Sequence, residues 1–179
     1  MVVERYRAVA TENRCVVHGP CSAADAAELA AQLALTRAGG RAVALAVDES
    51  MHTLELDGCL TAAGVTVLAP DDERWFAELP EAGVGLTNAV MAVAATGSLV
   101  LVTGPRLPRG ASLVPPAHVC LVRVDDVVAE LGDAIDRLGT DLPSAVMWVG
   151  GPSRTSDLEM RPTFGVHGPR SVDVILVGS

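Results

Sequence analysis

Residues 150–170 read GGPSRTSDLEMRPTFGVHGPR, a glycine- and proline-rich stretch in a chain otherwise rich in Ala, Val and Leu. Two apolar runs flank it, Ala145–Val149 and Val172–Val177. Valine-rich runs of this length read as strands, so the stretch is a loop held between two strands. Functional residues gather on loops anchored in this way.

Outward from that loop the same alternation continues along the chain. Ser22, followed three residues on by Asp25, marks a capped helix start, with Ala26, Leu29, Ala30 and Leu33 on one apolar face and Gly39-Gly40 as its stop. Ala42–Val47 reads as a buried strand. A weaker helix follows, with Met51, Leu54 and Cys59 inward and Gly58 interrupting it. Val65–Leu68 is a second strand, and 71–79 a short helix ended by Pro80. Residues 83–102 provide two strands joined by bends, and 104–116 a proline-rich loop. His118–Val124 is a strand feeding a helix capped by Asp125 or Asp126, with Val128, Leu131, Ile135 and Leu138 as its stripe. Strands alternating with helices predict an α/β fold with a largely parallel sheet, as a single domain over 1–179.

Composition narrows the function. Thirteen basic against 22 acidic residues leave a net charge of −9, which disfavours nucleic acid and anionic membrane as partners. All the basic residues are arginine and lysine is absent, which excludes lysine Schiff bases and a Walker-type phosphate loop. Side-chain recognition of an anion therefore falls to arginine forks. The charged N-terminus MVVERYR lacks the apolar core of a signal peptide, and no apolar run is long enough to span a bilayer. A cytoplasmic protein is expected. Cys15, Cys21, Cys59 and Cys120 show no paired or zinc-like spacing, so four reduced thiols, no metal and no cofactor are expected.

Three segments can carry chemistry. Thr96-Gly97-Ser98 offers hydroxyls and backbone N–H groups around a glycine, suited either to a ligand or to a tight bend. Val114-Pro115-Pro116-Ala117-His118 reads as an extended entry to a strand with His118 at its edge. In the opening stretch, Ser156 and Glu159 fit a capping box, and a short helix starting there would present free N–H groups to an anion. Ser153, Arg154 and Thr155 lie beside that start. His167, between Gly165 and Gly168, can fold back towards it. Thr96, Gly97, Ser98, Ser153, Arg154, Thr155 and His167 are thus candidate ligand-binding residues, and Asp157, Glu159 and His167 candidate acid/base residues. The expectation is that Thr96, Gly97, Ser153, Arg154, Asp157 and His167 cluster at one pocket.

The pair GPSRTSDLE and GVHGPR resembles the signature of the LUD-domain family, lactate utilisation protein C group. Gly85-Leu86-Thr87, Ala92-Val93-Ala94, Thr96-Gly97-Ser98 and Ser112–His118 extend that resemblance from about Gly83 to the C-terminus. It implies the layered α/β fold shared by CoA transferases and ribose-5-phosphate isomerase. It also implies a role beside two iron–sulfur proteins in oxidising L-lactate to pyruvate, any clusters belonging to those partners. Ala95 and Val90 stand where the family pattern carries acids, so chemistry needing an acid there is absent. The function expected is an accessory component of a lactate-oxidising system that binds a small anionic ligand or iron–sulfur partners. The alternatives are an enzyme of acyl-CoA, nucleotide or carboxylate chemistry and a non-catalytic ligand sensor.

Overall fold

The computed structural model describes residues 1–104, 106–156, 162–164 and 167–178, with the backbone alone described at 52–53, 154–156 and 162–164. The chain runs α1 (Val2–Glu12), β1 (Val16–Cys21), α2 (Ala23–Ala38), β2 (Val43–Ala46), α3 (Leu56–Ala62), β3 (Val67–Leu68) and α4 (Trp75–Glu78). It continues β4 (Val84–Asn88), β5 (Met91–Val93), β6 (Ser98–Val102), α5 (Gly110–Leu113), β7 (Ala117–Arg123), β8 (Val127–Val128), α6 (Leu131–Leu138), β9 (Val146–Val149), β10 (Arg154–Ser156), β11 (Pro162–Phe164) and β12 (Ser171–Val177).

Six strands form one wholly parallel sheet in the order β1-β12-β7-β4-β2-β3. Strands buried on both faces carry near-continuous apolar runs, which is why β7 and β12 read so plainly. Alternate residues of these strands enter different cores. Val119, Leu121 and Ile175 pack with α2 and α3, while Cys120, Val122, Val174 and Leu176 pack with Tyr6 and Ala10 of α1. Helix α2 meets the sheet through alanines, Ala26, Ala27, Ala30, Ala31, Ala34 and Ala38. Small side chains let the helix backbone lie close, and the longer Leu29 and Leu33 are only partly buried. Ser22 caps this helix by accepting from the Asp25 N–H at 3.2 Å, and Gly39 ends it in the left-handed region, φ 58°. On the far side of the parallel sheet lies a second, four-stranded one, β8-β5-β6-β9, in which β6 runs antiparallel to both β5 and β9.

Several sequence expectations are corrected here. A helix and a strand, α1 and β1, precede the element at Ser22. Gly58 lies inside α3, and the break falls instead at Glu55, whose φ is 47°. Residues 83–102 form three strands, because the Asn88–Val93 segment leaves the parallel sheet and starts the second one. The last full helix starts at Leu131, capped by Glu130 with Asp133, since Val127 and Val128 pair with β5 as a short strand. Its stripe is mostly outward: Leu131 and Ile135 are exposed while Ala134 is buried. Pro80 lies within a 3-10 turn, Leu79–Glu81, that follows α4 rather than ending it abruptly.

Candidate functional site

The parallel sheet places its opening where two neighbouring strands send their chains to opposite faces. After β2, the 3-10 turn Glu49–Leu54 and helix α3 pack on the face of Val43 and Leu45. After β4, Ala89 packs on the other face with Ala92, Leu99 and Leu101. In parallel α/β sheets the crevice beyond such a reversal, at the carboxyl ends of the strands, is the usual ligand position. A cleft of about 780 Å³ opens on the outer side of that reversal, beside the ends of β2 and β3 and the start of α3, a size suited to a small organic molecule.

Its wall is apolar along Leu45, Val47, Met51, Leu56, Ala69 and Pro70. Its polar lining is Asp48, Glu55, Asp57, Asp71 and Arg106, four carboxylates against one guanidinium. Asp48 is held at two points. Its N–H donates to Asn88 Oδ1 at 2.9 Å, and its Oδ1 accepts from the Ser50 N–H at 2.8 Å and from the Ser50 hydroxyl. Asn88, at the end of β4, is 3% exposed, and its Nδ2 has no hydrogen-bond partner. It lines a separate small recess with Ala46, Thr87, Arg109 and Ser112, and Ala46 faces the side of β2 opposite Leu45 and Val47. Sequence reasoning missed this site. The polar pair Thr87-Asn88 closing an apolar run and Asp48 following another were its only signals.

The residues nominated from sequence fall elsewhere. Thr96 and Gly97 form the turn between β5 and β6, and Gly97 has φ +65°. A Cβ at Gly97 would stand 2.7 Å from Ala10 N, so the end of α1 uses the close approach that glycine allows there. Asn13 Nδ2 donates to the Thr96 carbonyl at 2.8 Å, and Gly151 lies against the Asn13 carbonyl. Ser98 opens β6, and its Oγ is 3.5 Å from where a Cβ at Gly150 would stand. Thr96, Gly97 and Ser98 thus share one end of the four-stranded sheet with Gly150 and Gly151. Ser153 is tied to the far limb of the loop, its N–H donating to Pro169 O at 2.8 Å and its Oγ accepting from the His167 N–H at 3.3 Å.

Arg154 and Thr155 begin β10, paired antiparallel with Phe164 and Thr163. Ser156 pairs with Pro162 in that hairpin, so its backbone is extended and does not cap a helix. Asp157 and Glu159 lie outside the described residues. The loop follows β9, an antiparallel strand of the second sheet, and not the carboxyl end of a parallel strand. None of its described residues lines the cleft.

Beneath these sites the parallel sheet carries a buried polar row. His118 is not at a strand edge but fully enclosed, its Nε2 2.8 Å from Thr87 Oγ1 and its Nδ1 without a partner. Burial pushes its pKa down to about 4, opposed by the negative charge of Asp173. Two segments singled out in the sequence, Gly85-Leu86-Thr87 and Ser112–His118, therefore meet through a hydrogen bond inside the core. Asp173, also fully buried, accepts a two-pronged contact from Arg37 at 2.9 and 3.1 Å and lies 3.0 Å from His18 Nε2. Burial pushes the thiols of Cys120 and Cys15 up to about 12 and about 11, which keeps them protonated and unreactive. Among the described residues, no group of three or more His, Cys, Asp or Glu is placed to hold a metal ion, and no helix is long and apolar enough to cross a membrane.

A parallel sheet in a layered α/β domain, with its strand order reversing between β2 and β4, defines the class of protein. Within that class the chain belongs to the LUD domain family, which matches residues 3–177. It is 34% identical to a Lactate utilization protein C of Deinococcus radiodurans, over 64% of this chain and 56% of that protein. It is 28% identical to a Lactate utilization protein C of Bacillus velezensis, over 93% of this chain and 76% of that one. The chain spans about half the length of several curated relatives it matches, 56%, 41% and 48%. A crystal structure of a DUF162 family protein from Deinococcus radiodurans superposes with a TM-score of 0.70 at 26% identity, covering 99% of this chain and 96% of that one.

Proposed function

We propose that the protein is a component of a lactate-utilisation system and that it binds a small anionic ligand through the loop at 150–170. The observation that carries the first part is the name borne by its relatives, Lactate utilization protein C. The second rests on the loop's chemistry. In a chain without lysine, Arg154 directly follows Gly150-Gly151-Pro152-Ser153 in the sequence, and a guanidinium matches carboxylate or phosphate geometry with two parallel hydrogen bonds. The Ser153–His167 contact draws the two limbs of the loop together, and Thr96, Gly97, Ser98 and Thr155 are the further residues proposed to meet the ligand, the Gly97 N–H itself being given to the Val93 carbonyl. Iron–sulfur proteins are the proposed partners, and a cytoplasmic location is proposed with them.

Thermal shift with L-lactate, pyruvate, coenzyme A and mononucleotides tests the ligand. A true ligand at about a hundred times its Kd stabilises the fold by about 2.7 kcal/mol. Arg154→Gln is expected to abolish that shift and leave the melting point of the free protein unchanged. A large drop in the free protein's melting point would mark Arg154 as structural and overturn the binding role.

A further inference from the structure

We propose that the recess between the carboxyl ends of β2 and β4 is a second ligand site, taking the carboxylate of a small monocarboxylic acid with a short apolar body. It shares no residue with the loop at 150–170 and goes beyond the reading above.

The first observation is its place in the fold. Ala46 and Thr87 both line the recess, and they pair across the point where the strand order reverses. Ligands of parallel α/β sheets collect at that point. The second is an unpaired donor. Asn88 is 3% exposed, and its Oδ1 accepts from the Asp48 N–H at 2.9 Å. That contact fixes which end of the amide is oxygen, so the partnerless Nδ2 is a donor in the wall of the recess. A buried donor without an acceptor is costly, and a ligand oxygen there removes the cost.

The third is charge and size. No acidic residue lines the recess, and Arg109 is the exposed member of its lining. Among the described residues no carboxylate lies within ion-pair distance of its guanidinium. The Ser112 hydroxyl donates to the Arg109 carbonyl at 3.0 Å, which holds that residue's backbone at the mouth. The enclosed space, about 10 Å³, admits one oxygen-sized group. One carboxylate oxygen therefore enters towards Asn88 while the other meets Arg109 outside, a charge-assisted contact that balances one negative charge with one positive. Leu107, Pro108 and Met147 supply a wall for the apolar body. A water fits the same space but leaves Arg109 unpaired.

The test titrates the nitrogen-15-labelled full chain with propanoate, propanamide and inorganic phosphate, following the side-chain amide of Asn88 by NMR. Propanoate is expected to shift that signal saturably. Propanamide, of the same shape without the charge, should bind about tenfold more weakly, and phosphate more weakly than propanoate. Arg109→Gln, at an exposed position, should reduce propanoate to the affinity of the amide with the melting point unchanged. Ala46→Val, which fills the recess, should abolish the shift, and Arg109→Gln decides alone if that variant misfolds. A recess that holds water only would give no saturable shift at tens of millimolar propanoate, and that result would overturn the proposal. So would equal binding of amide and acid, tighter binding of phosphate, or an affinity unchanged in Arg109→Gln. Arg154→Gln should leave the Asn88 response intact, so failure of the loop site and failure of this one are read separately.

Discussion

His118 sits in the core as a neutral base, and that has a direct effect on stability. Its pKa falls from 6.5 to about 4 because burial disfavours the imidazolium. In the unfolded chain the same ring titrates near 6.5, so between those values the unfolded state binds the extra proton. The associated stability is complete above about pH 6.5 and is lost progressively as pH falls towards 4. The difference amounts to about 3 kcal/mol at the acid end. His118→Gln, which retains a polar partner for Thr87, should remove this dependence. Urea unfolding between pH 7.5 and 4 is expected to show wild type losing about 3 kcal/mol more than the variant. Parallel profiles would mean that the buried imidazole takes up a proton without penalty.

Among elements, α5 lies directly against the backbone of β4. A Cβ at Gly85 would stand 1.7 Å from the Ala111 carbonyl oxygen, a backbone atom with no rotamer to yield. Gly85 is therefore glycine for space: α5 lies directly on the strand and closes the core around Ala44, Ala46, Leu79 and Trp75. Gly85→Ala must push α5 off the sheet, and overpacking of that kind costs about 1–3 kcal/mol or more. A drop of at least about 2 kcal/mol in unfolding free energy is expected, with chemical-shift changes spreading through Gly110–Leu113. A variant as stable as wild type would show that α5 is loosely held. The same element roofs the recess at Asn88 through Ser112.

Across the whole molecule the parallel sheet is covered on both faces at its centre and thin at one edge. Strands β7 and β12 are buried along nearly their full length, while β3 contributes two residues at the rim. Local opening follows such differences in burial and contact. Amides of 119–122 and 173–176 are expected to exchange with solvent slowest, at the rate of global unfolding, and those of 56–68 at least about a hundredfold faster. Uniform protection would show the edge and centre opening together. Helix α3 and the end of β3 form one wall of the cleft, so opening at this edge would reshape it.

Several elements were legible because their signals are local. The runs at 42–47, 118–124 and 172–177 are apolar and valine-rich, and each forms a strand inside the six-stranded sheet. Ser22 with Asp25 and Gly39 bounded α2 by capping chemistry that depends on a few adjacent residues. The charged α1 and the Gly-Pro-containing β1 carry no such pattern, and their burial comes from docking against the second sheet and β12. Other features depend on pairing between distant segments. Val146–Val149 and Ser171–Val177 flank the same loop with similar composition, yet one joins the antiparallel sheet and the other the parallel one. Asp48 and Asn88 are forty residues apart and meet only because β2 pairs with β4. Local residue chemistry thus determined the α/β class, several boundaries and the family-like loop. Strand order and register decided which carboxylates surround a cleft, because the hydrogen bonds that fix them join residues the chain itself keeps apart.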